Sequence, residues 1–265
     1  MKICQVLIHF DNLTLDSCPD PQKWDSSKTL ILAFCSPSLL NHRDFMTSLK
    51  DKYPHSKVVG CSTSGEIYGP KIHDQTISLN FLKLDEGRFK IAVASVENAV
   101  DSKKTGIQLA KALAEPDLKG VFILSEGLKA NGSALAEGLN SIFGSKVQIG
   151  GGLAGDGTAF RETFVVCDHE LLKSHVLGVG FYGDCITIKS RSQGGWDIFG
   201  PERMVSRSSG NSLFELDGRP ALDLYKEYLG EKSKDLPASA LLFPLQISHS
   251  DHPDTPRFPK VGMPN

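Results

Sequence analysis

The chain has 265 residues, of which 40% are hydrophobic and 23% are charged, and its formal net charge is −2. This is the composition of a globular protein, without the basic excess that attracts nucleic acid or an anionic membrane surface. The longest apolar runs are strand-length, far short of the roughly 20 residues of a membrane span. An Asp appears too early for a signal peptide, so we expect a cytoplasmic protein.

A repeated pattern of strand, turn, helix, strand and glycine-rich loop occupies most of the chain. The first unit covers about residues 28–98 and contains KVVGCSTSGE. The second covers about residues 119–192 and contains KVQIGGGLAGD. We therefore expect one module with an internal duplication over residues 1–204.

Apolar residues at helical spacing predict one helix in each unit and a third helix between the units. Pro54 and Pro116 end two of these patterns, and Asn131 can cap the start of another. The residues expected on the buried helix faces are Phe45, Leu49 and Tyr53; Ile107, Ala110, Leu113 and Ala114; and Leu135, Leu139, Ile142 and Phe143.

Alternating apolar residues after each glycine-rich loop predict antiparallel strands. TISLNFLKL and FKIAVAS flank a turn at residues 85–88, which favours a hairpin, and ETFVVCD, HVLGVGFYGD and CITIKSRS come after the second loop. We predict an α/β fold of two related βαβ-plus-hairpin units, with mixed sheets packed together and helices outside in αββα-like layers. A side-by-side mixed sheet is the alternative.

From about residue 205 the pattern changes. SLFELDGRPALDLYKEYLG predicts a strand, an Asp217-Gly218 turn and a helix that begins at Pro220. The helix residues expected to face inward are Leu222, Tyr225 and Leu229. Because prolines are frequent between this helix and Asn265, we expect residues 205–265 to be the beginning of a further unit that breaks off.

The first glycine-rich loop, residues 60–66, has the glycine spacing of a phosphate-binding P-loop but lacks its lysine. Glu66 would repel phosphates, which argues against ATP or GTP hydrolysis. The loop also lacks the second glycine of a nucleophile elbow. Cys61 or Ser62 is a candidate nucleophile for a hydrolase only if a base lies nearby.

The second loop, residues 150–155, formally matches G-x-G-x-x-G. A dinucleotide fingerprint must open a helix, whereas a turn and a strand are predicted here, so NAD binding is not expected. Two other patterns, His249 with His252 and Cys167-Asp168-His169, are too weak to predict a metal site.

Two interpretations of the paired loops remain open. They are either tight turns or the edges of a pocket that combines backbone N–H groups, hydroxyls and two acids. In the pocket, N–H groups and hydroxyls would hold a carboxylate or phosphate, and an acid would take an amine. The candidate ligand-binding residues are Cys61, Ser62, Thr63, Ser64, Gly65, Glu66, Gly151, Gly152, Ala154, Gly155 and Asp156.

Three stretches, VVGCSTSGEI, QIGGGLAGDG and LFELDGRPALDLYKEYLG, resemble the FIST (F-box and intracellular signal transduction) domain family. The first two are similar to its amino-terminal module, and the third is similar to the opening of its carboxy-terminal module. The resemblance implies a non-enzymatic sensory domain of bacterial signalling that binds an amino acid or related metabolite and partners a protein such as a sensor kinase. It also implies a haem-based nitric oxide sensor as an alternative.

The chain departs from the family in its length, since a full carboxy-terminal module is expected to continue past Asn265. It also has no F-box-like helical stretch before residue 28. Its eight histidines form no pattern that would choose a haem ligand. A protein-interaction scaffold without a ligand is a further possibility.

Overall fold

The computed structural model describes residues 1–191, 198–248 and 260–264. The chain divides into two compact units, residues 1–190 and residues 191–265. The helices of the first unit are α1 Pro21–Trp24, α2 Asp44–Lys52, α3 Ser102–Leu113 and α4 Gly132–Phe143. Its strands are β1 Lys2–His9, β2 Thr29–Cys35, β3 Lys57–Ser62, β4 Glu66–Tyr68, β5 Lys71–His73, β6 Thr76–Lys83, β7 Arg88–Ser95, β8 Leu118–Ser125, β9 Gln148–Leu153, β10 Val165–Cys167, β11 Glu170–Leu172 and β12 His175–Tyr182.

Two mixed sheets form the centre of the first unit. One has the order β1-β6-β2-β3-β10-β11, and the other has the order β7-β12-β8-β9. Apolar side chains of both sheets, including Val59, Leu124, Val165 and Leu177, form one buried cluster between them. The opposite face of the first sheet packs against α2, and that of the second sheet packs against α3 and α4. The predicted α/β fold with αββα layers is confirmed.

The internal repeat is longer than its sequence pattern suggests. Each repeat contributes four strands in the same order, β1-β6-β2-β3 in the first and β7-β12-β8-β9 in the second. In each, the last two strands are parallel and the strand before them is antiparallel to both of its neighbours. In structural terms, the repeats therefore begin at β1 and at β7.

The hairpin predicted around residues 85–88 is wrong. β6 pairs with β1 and β2, whereas β7 pairs with β12 in the other sheet. The turn therefore carries the chain from one sheet to the other. Residues 185–191, also predicted as a strand, form none. Alternation alone therefore does not ensure that a strand forms, and turn residues do not determine which strands pair.

The two small hairpins break the equivalence of the repeats. The hairpin β10–β11 belongs to the second repeat, yet β10 pairs antiparallel with β3 of the first. Its counterpart in the first repeat, β4–β5, forms a separate two-stranded sheet. As a result β3 is covered on its outer side, whereas β9 is the edge strand of its sheet.

The second unit contains one five-stranded sheet in the order β15-β14-β13-β17-β16. Its elements are β13 Ile198–Ser209, β14 Ser212–Leu216, β15 Arg219–Pro220, α5 Ala221–Leu229, β16 Gln246–Ser248 and β17 Lys260–Pro264. Asp217 and Gly218 form the predicted turn, with φ angles of 49° and 75°. His249 and His252 lie outside the described residues.

Most predicted helix faces are buried, with three exceptions. Leu222 was expected inside but is exposed, because the face of α5 that meets its sheet carries Ala221 and Leu224. Ile142 lies in the last turn of α4 on the same stripe as Leu135 and Leu139, but it is exposed. Ala114 lies beyond the end of α3 and is exposed.

Candidate functional site

The two glycine-rich loops meet at one edge of the paired sheets. The first loop leaves the carboxyl end of β3, and the second leaves the carboxyl end of β9. The N–H of Gly155 donates to the carbonyl of Ser62 at 3.0 Å, and the N–H of Gly157 donates to Oγ of Ser64 at 3.0 Å. The carboxyl ends of strands are where α/β proteins commonly bind ligands.

Ser62 and Glu66 turn their polar atoms into the protein. Oγ of Ser62 accepts from the N–H of Phe164 at 3.2 Å, and the Ser62 side chain is fully buried. The buried carboxylate of Glu66 accepts from Oγ1 of Thr63 at 2.7 Å, and from Oγ1 and N of Thr76 at 2.7 and 3.1 Å. These two side chains therefore stabilise the loop through buried hydrogen bonds.

Asp156 organises the second loop. Its Oδ1 accepts from the N–H of Phe160 at 3.2 Å, and its Oδ2 accepts from those of Arg161 and Glu162 at 2.6 and 3.0 Å. Ala154, two residues before Asp156, is buried between the sheets. The carboxylate thus holds residues 157–162 in a compact turn beside the first loop.

Two glycines are required where the loops leave the sheets. Gly65 has φ +145°, which L side chains rarely adopt. Gly151 has φ +150°, and a Cβ there would lie 1.9 Å from the carbonyl oxygen of Ile123. A Cβ on Gly155 would lie 2.4 Å from Oγ of Ser64, so that side chain would have to turn away. Gly152, by contrast, is exposed and a Cβ there would meet nothing within 4 Å.

In the sequence, Gly65-Glu66 of the first loop aligns with Gly155-Asp156 of the second. The structure pairs the residues of the two loops one position differently. The N–H of Thr63 donates to the last residue of β2, as the N–H of Ala154 donates to the last residue of β8. Ser64 therefore corresponds to Gly155. Glu66 and Asp156 are not equivalent, and their acidic side chains have unrelated partners.

The thiol of Cys61 is not an activated nucleophile. Burial raises its pKa to about 12, so the thiolate is scarce at neutral pH. Burial also raises the pKa of the neighbouring Cys35 thiol, with contributions from Cys61 and Glu66. Oγ of Ser62 accepts from the N–H of Phe164, and it donates to no histidine among the described residues, so no nucleophile–base pair is formed there.

The accessible polar groups lie on the outer side of the loop junction. Within residues 1–191, the backbone N–H groups of Ser64, Gly65 and Asp156 donate to no acceptor. The side chain of Ser64 is exposed, and that of Thr63 is half-buried. Arg161 adds an exposed cation to the second loop. Sequence reasoning missed Arg161, although its place six residues after Gly155 could have suggested it.

Two cavities of the first unit are not suited to bind haem. A cavity of about 280 Å³ between β9 and α4 is lined by glycine and aliphatic residues, without an axial ligand. A second cavity, of about 490 Å³ behind β1, contains His9 but is lined largely by polar side chains such as Asp11 and Asp16. In the described ranges, no three His, Cys, Asp or Glu side chains are grouped to hold a metal ion.

The fold and its paired loops define a duplicated αββα domain with a polar edge. A comparison with protein families matches the FIST N domain to residues 29–219, well over half of the chain. The chain therefore belongs to the FIST family, a family of sensor domains in signal transduction. A comparison with curated proteins finds no match. No helix in the described part of the chain is long and apolar enough to cross a membrane.

Proposed function

We propose that this chain is a non-enzymatic sensor that binds a small metabolite with a carboxylate group, an amino acid or a close relative, at the junction of the two loops. The observation that carries the proposal is the set of three backbone N–H groups, on Ser64, Gly65 and Asp156, that donate to no acceptor within residues 1–191. The second loop also carries the exposed Arg161. Groups of this kind on a rigid scaffold bind carboxylates and phosphates.

Each group has a distinct role in this proposal. The N–H groups and the hydroxyl of Ser64 hold the carboxylate, and Arg161 pairs with its charge. Among the described residues, Oδ1 of Asp156 accepts one hydrogen bond, so a lone pair remains for a ligand ammonium group. The bound state is passed to a cytoplasmic signalling partner such as a sensor kinase, the role that the family suggests.

The experiment is a thermal-shift screen of the purified chain against L-amino acids and their keto-acid analogues, followed by calorimetry on any compound that stabilises it. Binding of a ligand to the folded state raises the melting temperature by mass action. We expect Arg161→Gln to weaken binding by roughly tenfold, the loss of one charge-assisted contact. Ser62→Ala is a poor test because it removes a buried hydrogen bond of the protein itself.

Lys146→Gln is the matched control, since it removes one exposed cation from a site that is not on either loop. It should bind the ligand as tightly as the wild type. A ligand whose affinity is the same in the wild type and in Arg161→Gln would show that this junction is not the binding site.

A further inference from the structure

The first repeat shows how the outer edge of its last strand is covered. β10 pairs with β3, and two of the side chains at this edge, Phe164 and Val166, are fully buried. They pack on the helix side of the sheet in the same cluster as Phe45 and Leu49 of α2. An added strand with large apolar side chains at positions i and i+2 thus completes the core of this repeat.

The second repeat lacks that strand. No described strand pairs with the outer side of β9. The N–H of Ala154 donates inward to the carbonyl of Ser125, and N–H groups alternate in direction along a strand. The N–H groups of Leu153 and Gly151 therefore point outward. The carbonyl of Ile149 also points outward and accepts from Oγ of Ser190 at 3.5 Å, so among the described residues the open part of the edge runs from Gly151 to Leu153. Such an edge is a ready site for strand addition.

A groove lies beside this edge on the helix side of the sheet, the side on which Phe164 and Val166 pack in the first repeat. It is the cavity of about 280 Å³ between β9 and α4, lined by residues that include Leu135, Ala136 and Leu153. The lining has no charged side chain. The groove therefore suits apolar side chains carried by a strand paired with β9.

We propose that this groove and the outer edge of β9 form a docking site for an extended segment of a partner protein. The segment runs antiparallel to β9, as β10 runs to β3, and inserts large apolar side chains at positions i and i+2. The site is separate from the loop junction proposed to bind the ligand.

The chain's own hairpin β4–β5 is an unsuitable occupant because it is fastened elsewhere. Nε2 of Gln5 and Oγ of Ser78 both donate to the carbonyl of Ile67, at 2.9 and 3.1 Å. The carboxylate of Glu66 is bonded to Thr76. A second copy pairing through its own β9 is equally unsuitable, because residues 150–152 are glycines and bring no side chains to fill the groove.

The test is fluorescence anisotropy with the full chain and a labelled peptide that copies residues 162–168 with Cys167→Ser. We expect saturable binding to the wild type. Ala136→Trp fills the groove and should weaken binding by roughly tenfold or more, the effect of denying burial to one large apolar side chain. Ala112→Trp, on the exposed face of α3, is the matched control and should bind as the wild type does.

Thermal unfolding verifies that each variant is folded, and Ala136→Leu replaces Ala136→Trp if the larger side chain prevents folding. Equal affinity of the wild type and the groove variant would overturn the proposal, since the peptide would then bind elsewhere. Absence of binding to the wild type would overturn it as well. A wild-type dimer that Ala136→Trp converts to monomer would assign the groove to a second copy instead.

Discussion

Glu66 fixes the first loop through a carboxylate that is almost wholly buried. It accepts from three donors, the hydroxyl of Thr63 and the hydroxyl and N–H of Thr76. In Glu66→Gln, the negative charge is lost and an NH₂ group replaces one of the two acceptor oxygens, so the charge-assisted hydrogen bonds are lost. We expect a loss of about 2 kcal/mol in the free energy of unfolding, measured by urea denaturation. Glu86 is exposed, and Glu86→Gln should change the free energy of unfolding by less than about 0.5 kcal/mol. Equal effects of Glu66→Gln and Glu86→Gln would contradict a stabilising role of the Glu66 carboxylate.

Cys61 provides a test of the hydrolase alternative. Its thiol is buried and its pKa is raised to about 12 by that burial, so iodoacetamide at pH 8 should not label it in the native protein. Cys185 is exposed and should be labelled first, which peptide mass spectrometry can show. Rapid labelling of native Cys61 would instead indicate an activated nucleophile.

The carboxyl group of Asp25 makes the free energy of unfolding depend on pH. Burial alone would raise the pKa of its carboxyl, but hydrogen bonds from the side chains and backbone N–H groups of His55 and Ser56 outweigh it and lower the pKa. A lowered folded-state pKa contributes stability above the unfolded value, which is lost as pH falls through the folded pKa. The stability gap between wild type and Asp25→Asn should therefore shrink below about pH 4. Urea denaturation at several pH values measures this gap, and a gap that widens toward pH 3 would contradict the assignment.

The packing of helix α3 against helix α4 depends on two glycines. A Cβ on Gly138 would lie 2.2 Å from the carbonyl oxygen of Lys103, and one on Gly106 would lie 2.4 Å from that of Leu135. Alanine gains up to about 1 kcal/mol in helix propensity, but the clash with a rigid backbone costs about 1–3 kcal/mol. Gly138→Ala should therefore lower the melting temperature.

Gly132→Ala is the control for this contact, because it makes the same change in the same helix with room for the added methyl group. Its Cβ would lie 3.8 Å from the nearest atom, in the side chain of Leu153. We expect its melting temperature to be unchanged or slightly raised. A parallel loss in both variants would mean that the helix itself, and not the contact, is sensitive to the change.

Helices α2, α3 and α4 were predictable because each has apolar residues at helical spacing, and the sheets bury the face that these residues form. Strand pairing was not, since the alternation of FKIAVAS fits any neighbour with a buried face. The exchange of β10 onto β3 depends on contacts more than 100 residues apart, as in the 102-residue separation of Ser62 and Phe164. The two acids of the loops were found from the sequence, but the inward direction of Glu66 depends on its burial, which local pattern does not reveal.

At the scale of the whole molecule, duplication explains both proposed sites. Two equivalent loops meet at one edge of the first unit, and the unequal use of two equivalent hairpins leaves one strand edge open. The second unit has its own small core, which includes Leu216 and Leu224. The predicted boundary at residue 204, between the family's two modules, stays a prediction.

Native mass spectrometry of the purified chain tests whether the loop junction binds a small ligand with a carboxylate group. We predict that the wild type and Lys146→Gln carry the mass of a small molecule, either co-purified or taken up from an added L-amino acid panel. Arg161→Gln should carry less of it. A wild-type chain that shows only its own mass after incubation with the panel would contradict the account.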